Sequence, residues 1–228
     1  MLEQAGRQLD IKISYCKCPV RVVQGAKVKK KTVDWPVIYF SQWLRCALKH
    51  GGKLVLCGHE ATATHLWQQE FRQFWDRYQK YDPSHPIFDL DPEKRKFFLP
   101  FTVHGDEGRG KNKNPTLIEN FCPVITYKGP KVTNLSGHTF TTRFMYTAIA
   151  STSYTPSSLD ELHRGMAEDL NELFTSGLWV EAAQTTIYAA CIGGKGDWPY
   201  IRKAFGLIPG YTSKRLCHLC PSVVPCMS

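Results

Sequence analysis

The sequence has no long apolar run and no recognisable leader. No stretch of its 228 residues approaches the roughly 20 consecutive apolar residues that a membrane-spanning helix needs. Residues 1–7 lack the apolar core of a signal peptide. These absences argue against a membrane partner and predict a nuclear or cytoplasmic protein.

Two further patterns are missing. The nine cysteines are scattered, which without a leader favours reduced thiols or a few metal ligands over a disulfide framework. Neither Gly-rich segment, at 105–115 or at 193–196, completes a P-loop, and the second also fails the dinucleotide fingerprint. Each segment is read equally well as a phosphate-lining loop or as a solvated turn.

The composition describes a folded, basic chain. A hydrophobic content of 43% and an aromatic content of 12% support a real core. The formal net charge of +9 suits a polyanionic partner such as nucleic acid. One short basic run, Lys27 to Lys31, is compatible with a nuclear-import signal or a nucleic-acid-binding patch, but the pattern favours a solvated turn between strands.

The first part of the chain is predicted to be α-rich. The first 33 residues alternate like a small hairpin. Apolar residues at helical spacing predict helices over 37–48 and 61–81, with a short strand over 54–56 between them. We therefore expect residues 1–93 to form an α-rich N-terminal region with a small hairpin.

The pattern changes over residues 94–228. Strands are predicted to end at Asp106 and to cover 116–127 and 141–150. A helix follows, with Ser158 and Glu161 as its capping box and Gly177 as its terminator. A fourth strand ends at Asp197, which is predicted to cap a short helix over 198–205.

This order brings two carboxylates together. Three sequential strands favour an antiparallel meander, and a fourth that arrives through a helix can lie parallel to the first. The ends that carry Asp106 and Asp197 would then be neighbours. Carboxylates are the ligands that Mg²⁺ prefers, and paired metals serve phosphoryl transfer. Nearby cations that could contact a phosphate backbone are Arg109, Lys111, Lys113 and Lys195.

The strand order and the two acids resemble the ribonuclease H-like superfamily, and most of all the catalytic core of DDE-type DNA transposases, over roughly residues 97–220. The resemblance implies an α/β fold with a ribonuclease H-like mixed sheet. It also implies that Asp106 and Asp197 bind Mg²⁺ or Mn²⁺ together with a third acid on a downstream helix. Residues 221–228 contain no acid. We therefore expect a core that is incomplete at its C-terminus and is weakly active or inactive, so whether it is an enzyme stays open.

A Cys-x-x-Cys pair, Cys217 and Cys220, holds the place where many eukaryotic transposases carry such a pair after the second Asp. It is half of a tetrahedral Zn²⁺ site. The remaining ligands would come from His218, Cys226, Cys16 or Cys18. The alternative is a pair of structural or free thiols.

Three other functions compete with a DNA-cleaving core. One is a non-enzymatic, basic nucleic-acid-binding or interaction module descended from a mobile element. Another is a non-functional open reading frame. A small α/β enzyme using Cys and His is disfavoured, because Cys191 lies inside a predicted strand and no His–Cys motif exists. DNA is the expected partner, and a homo-oligomer stays open.

Overall fold

The computed structural model describes residues 11–24, 27–109, 114–129 and 143–206. Over these residues the fold is mixed α/β, with a two-stranded hairpin and a five-stranded sheet. The hairpin pairs β1 (Ser14–Gln24) with β2 (Lys27–Val37) in antiparallel register. The sheet strands are β3 (Phe98–Arg109), β4 (Pro115–Pro123), β5 (Phe144–Ala150), β6 (Leu178–Val180) and β7 (Thr185–Gly196).

The sheet has the order β5-β4-β3-β7-β6. Strands β3, β4 and β5 form an antiparallel meander, and β7 pairs with β3 in parallel. The predicted meander and the predicted parallel fourth strand are therefore confirmed. The short strand β6 was not predicted. It extends the sheet by pairing antiparallel with β7.

Five α-helices accompany the strands in the described residues. They are α1 (Phe40–Lys49), α2 (Thr64–Tyr78), α3 (Pro92–Arg95), α4 (Pro156–Thr175) and α5 (Trp198–Ala204). Two 3-10 turns, Pro86–Asp89 and Glu181–Ala183, complete the list. Helix α4 is the crossover between β5 and β7, and it contacts both the hairpin and β7.

One continuous apolar core joins these elements. Phe40 of α1 lies 4.5 Å from Phe101 of β3 and 4.8 Å from Phe121 of β4, measured between ring centroids. Leu162 and Met166 of α4 are buried in the same cluster. This core seals one face of the β3–β4 pair, which leaves polar groups on the other face.

The N-terminal part differs from the α-rich prediction. Its hairpin strands have eleven residues each, so residues 11–93 are mixed α and β. The basic run at Lys27 lies inside β2, not in a turn. Alternating buried residues of β1, Cys16, Cys18 and Val20, fix the register of the inner half of the hairpin, and the pairing continues outward to Gln24 and Lys27.

Two local predictions are wrong. Residues 54–56 form turns instead of a strand, since Val55 and Leu56 both donate backbone hydrogen bonds to the carbonyl of Gly52, each 2.9 Å long. Helix α4 begins one turn earlier than predicted. Thr155 is its N-cap residue, and Ser158 is the N3 residue that completes the capping box. Thr155 N donates a hydrogen bond to Ser158 Oγ at 2.8 Å.

No described helix is both long enough and apolar enough to cross a membrane.

Candidate functional site

Register brings the two aspartates to adjacent positions, Asp106 within β3 and Asp197 directly after β7. Gly105 of β3 pairs with Gly196 of β7 in parallel register. Each glycine is followed by an aspartate, Asp106 or Asp197, and both aspartates are exposed. The prediction that parallel pairing brings these two positions side by side is therefore confirmed, although β3 continues past Asp106 to Arg109 and does not end there. Metal binding by the pair stays a prediction.

Asp197 also begins helix α5. Its Oδ1 accepts a hydrogen bond from Tyr200 N at 2.9 Å, and Pro199 occupies the first turn. The predicted cap is confirmed. Because the cap fixes the backbone of Asp197 at the start of a helix, the direction of its carboxylate is tied to the position of α5.

The ring of Tyr200 seats α5 against the two strands. The ring lies against the backbone of both Gly105 and Gly196, so closely that a Cβ at either glycine would overlap it. Tyr200 itself is buried. Side chains larger than hydrogen at these two positions would push α5, and with it Asp197, away from Asp106.

His104 shares a face of β3 with Asp106 and has polar neighbours on both adjacent strands. His104 lies two residues before Asp106 and is paired in register with Asn120 and Lys195. Asn120 Nδ2 is 3.3 Å from His104 Nδ1.

Burial lowers the pKa of His104, and Arg143 and Lys195 lower it further. The charges of Asp106 and Asp197 oppose that shift. The charges of both carboxylates therefore act on His104, and because its pKa lies below its usual value, its ring is neutral near pH 7.

The described residues near Asp106 and Asp197 supply too few potential ligands for a complete metal site. Among residues 11–24, 27–109, 114–129 and 143–206, no three His, Cys, Asp or Glu side chains are grouped closely enough to hold a metal ion. Two carboxylates at adjacent positions of neighbouring strands are chemically suited to a hard divalent cation, but they supply only part of a ligand set.

Glu107 does not join the pair. Its carboxylate accepts hydrogen bonds from Lys203 Nζ, at 2.6 Å, and from the Tyr154 hydroxyl. This ion pair ties β3 to α5 on the sheet face opposite to Asp106, as the strand alternation predicts.

A buried acid that the sequence analysis missed lies next to these strands. Glu119 of β4 is opposite Gly105 in register and is fully buried. Its Oε1 accepts hydrogen bonds from His163 Nε2, at 2.6 Å, and from the Tyr200 hydroxyl, at 2.9 Å. Its Oε2 has no hydrogen-bond partner in the described part of the chain. The only sequence signal was a charged residue in the middle of a predicted strand.

Beside this acid lies a mainly apolar cavity of about 430 Å³ between α4, α5, β3 and β7. Two residues that hydrogen-bond Glu119, His163 and Tyr200, form part of its wall. The other lining residues are Val103, Met166, Ala167, Leu170, Cys191, Gly193, Gly194, Ala204 and Phe205.

Of the four predicted phosphate-contacting cations, the structure places one side chain. Lys195 is exposed beside His104. Arg109 ends β3, with its side chain outside the described atoms, and Lys111 and Lys113 lie outside the described residues.

The predicted zinc ligands Cys217 and Cys220 also lie outside the described residues, as do His218 and Cys226. Cys16 and Cys18 are buried free thiols on β1. Cys16 Sγ lies 3.2 Å from the Tyr39 hydroxyl, and Cys18 Sγ donates to the Ser158 carbonyl at 3.7 Å. Both therefore contact core groups of the fold.

Comparison of the chain with protein-family models, with curated proteins and with solved structures finds no match.

Proposed function

We propose that this chain is a transposase-derived, metal-dependent phosphodiester-transfer core of ribonuclease H-like type that acts on DNA, with weak or no activity of its own. The observation that carries the proposal is the parallel Gly105–Gly196 pairing, which each of the two aspartates directly follows, Asp106 within β3 and Asp197 just after β7. The strand order β5-β4-β3-β7 supports the fold assignment.

The donor set explains what the site could do. Asp106 and Asp197 would hold a Mg²⁺ or Mn²⁺ ion, which would supply positive charge for a phosphodiester oxygen. Two contacts would hold the metal ligands in place. The N-cap of α5 fixes Asp197, and the Tyr200 ring packs α5 against Gly105 and Gly196. Because no third acid joins them in the described residues, low activity follows.

Charge near the pair suits a phosphate backbone. Lys195 is exposed two residues before Asp197. The chain as a whole carries +9. A bound cation would offset the repulsion between two carboxylates and DNA phosphate, so metal binding and DNA binding should reinforce each other.

That coupling gives the test. DNA affinity is measured by fluorescence anisotropy in EDTA and in Mg²⁺ at matched ionic strength, for the wild type and for Asp106→Asn and Asp197→Asn. We expect Mg²⁺ to raise wild-type affinity about tenfold or less. Each substitution should raise affinity slightly in EDTA, because a negative charge is lost, and should remove the gain from Mg²⁺.

Asp76→Asn is the matched control, because Asp76 is an exposed acid on α2. It should keep the Mg²⁺ gain. Any slow Mn²⁺-dependent cleavage of DNA should disappear in the two site variants and persist in the control. Cleavage that survives in Asp106→Asn would contradict the proposal.

The second candidate is a non-enzymatic nucleic-acid-binding module. It is favoured by the absence of a three-ligand metal group among the described residues, together with the basic balance of the chain. Such a module would hold DNA equally well with and without Mg²⁺ at matched ionic strength, and Asp106→Asn would leave the Mg²⁺ response unchanged.

A further inference from the structure

The β1–β2 hairpin concentrates positive charge on a short ribbon. Between Ser14 and Val37 the sequence has six cations and one acid, Asp34. Asp34 is already used, because Lys17 Nζ lies 2.6 Å from its Oδ1. The cations that remain are Arg21, Lys27, Lys29, Lys30 and Lys31.

The base of the hairpin is firmly attached to the rest of the fold. Cys18 and Val20 are buried against α4 and its neighbours. Arg21 N donates to the Ser153 carbonyl at 2.7 Å, and Trp35 Nε1 donates to Thr147 Oγ1 at 3.1 Å. The orientation of the ribbon is therefore set by α4 and β5.

The outer part of the ribbon is exposed on both faces. Val23 and Val28 are cross-strand partners, and 76% and 65% of their surfaces are exposed. The three exposed lysines Lys29, Lys30 and Lys31 alternate in direction along β2. Cations therefore point to both sides of a strand pair that also exposes the apolar Val23–Val28 pair near its outer end.

One cross-strand pair in this ribbon carries two charges of the same sign. Arg21 and Lys30 lie directly opposite each other in register. Like charges in opposed positions destabilise an antiparallel pair. A bound polyanion would remove that repulsion, whereas a purely structural hairpin gains nothing from it.

We propose that the β1–β2 hairpin is a DNA-binding arm, with its outer half in a groove of duplex DNA and Arg21, Lys29, Lys30 and Lys31 against the phosphates. The major groove of B-DNA is wide enough for a two-stranded ribbon, and apolar side chains such as Val23 and Val28 can contact thymine methyl groups there. The deep groove of duplex RNA is too narrow for such a ribbon. The inference rests on the proposal that the chain acts on DNA and adds a surface separate from Asp106 and Asp197.

The test is the salt dependence of DNA binding in EDTA. The triple variant Lys29→Gln, Lys30→Gln and Lys31→Gln should weaken duplex binding about tenfold or more. It should also reduce the steepness of log K against log salt by about 2 to 3, since each lost phosphate contact removes about 0.9. The control variant Arg45→Gln, Arg77→Gln and Lys80→Gln loses the same charge from exposed positions on α1, on α2 and just after α2.

The control should keep the wild-type slope. Equal losses of DNA affinity in both triple variants would overturn the proposal of a DNA-binding arm, because they would show only general electrostatic attraction. Equal affinity for duplex RNA, or binding to anionic vesicles in place of DNA, would overturn the groove assignment.

A second measurement needs no variant. Acetylation of wild-type lysines with and without duplex DNA should show protection at Lys29, Lys30 and Lys31 and none at Lys80. Unprotected hairpin lysines would overturn the proposal. Because both measurements are made in EDTA, a failure of the Asp106–Asp197 metal site would leave them unchanged, and the two proposals fail separately.

Discussion

His163 Nε2 lies 2.6 Å from Oε1 of the fully buried Glu119, and this contact joins helix α4 to the centre of strand β4. The same Oε1 accepts the Tyr200 hydroxyl from α5. One carboxylate therefore connects the two helices that cover β3 and β7. The position of α5, and with it that of Asp197, depends on this contact.

Glu119→Ala should destabilise the fold. The substitution would leave the His163 imidazole and the Tyr200 hydroxyl without their shared acceptor, and losing one partner of a buried pair is costly. Because His163 keeps a quarter of its side chain exposed, we expect a loss of about 2 to 3 kcal/mol in the free energy of unfolding. Urea unfolding measures it.

Glu168→Ala is the matched control, since Glu168 is exposed on the same helix as His163. It should change the free energy of unfolding by less than about 0.5 kcal/mol. A similar value for Glu119→Ala would show that the buried contact does not hold the helices.

The His163–Glu119 contact also predicts a pH dependence. Burial by itself lowers the pKa of His163, but the hydrogen bond that His163 donates to Glu119 and the negative charge of Glu119 outweigh burial, so the pKa lies above its usual value. The unfolded value is about 6.5. The stabilisation from protonated His163 is therefore fully present below about pH 6.5 and is lost as pH rises through the higher folded pKa.

His163→Gln isolates this contribution. Urea unfolding of both proteins between about pH 5.5 and 9 should show the wild type losing its advantage over the variant as pH rises. A constant difference across this range would mean that His163 does not carry the proton in the folded protein.

Gly105→Ala tests the packing of α5 against β3. A methyl group at this position overlaps the Tyr200 ring, while a methyl group at Gly108 of the same strand meets no atom within 4 Å. We expect Gly105→Ala to cost about 1 to 3 kcal/mol in unfolding free energy, as overpacked sites do. Gly108→Ala should be close to neutral, and equal effects would exclude the ring contact as the cause.

Asp197 combines a structural role with a proposed ligand role, and two substitutions separate them. Asparagine caps helices as well as aspartate, whereas alanine costs about 1 kcal/mol. Thermal unfolding should therefore show Asp197→Ala less stable than Asp197→Asn. Both should bind Mn²⁺ poorly, because both lack the carboxylate. Equal stability of Asp197→Ala and Asp197→Asn would show that the Asp197 side chain does not stabilise helix α5 as an N-cap.

The parts of the fold that could be predicted depend on local patterns and on chain direction. The parallel pairing of β3 with β7 follows from a helical crossover, and the Asp197 cap follows from Pro199 in the first turn of the helix. Glu119 could not be placed, because His163 and Tyr200 are 44 and 81 residues away in the sequence. The true cap Thr155 was missed because Ser158 and Glu161 match the same local motif one turn later.

The central claim is that Asp106 and Asp197 hold the same divalent ion. Electron paramagnetic resonance counts free Mn²⁺ during titration of the full chain, of Asp106→Asn, of Asp197→Asn, of the double variant and of the Asp76→Asn control. The account predicts that each single site substitution weakens Mn²⁺ binding about tenfold or more, that the double variant loses little beyond either one, and that the control matches the wild type. Unchanged Mn²⁺ binding in Asp106→Asn, or fully additive losses in the double variant, would contradict a shared site.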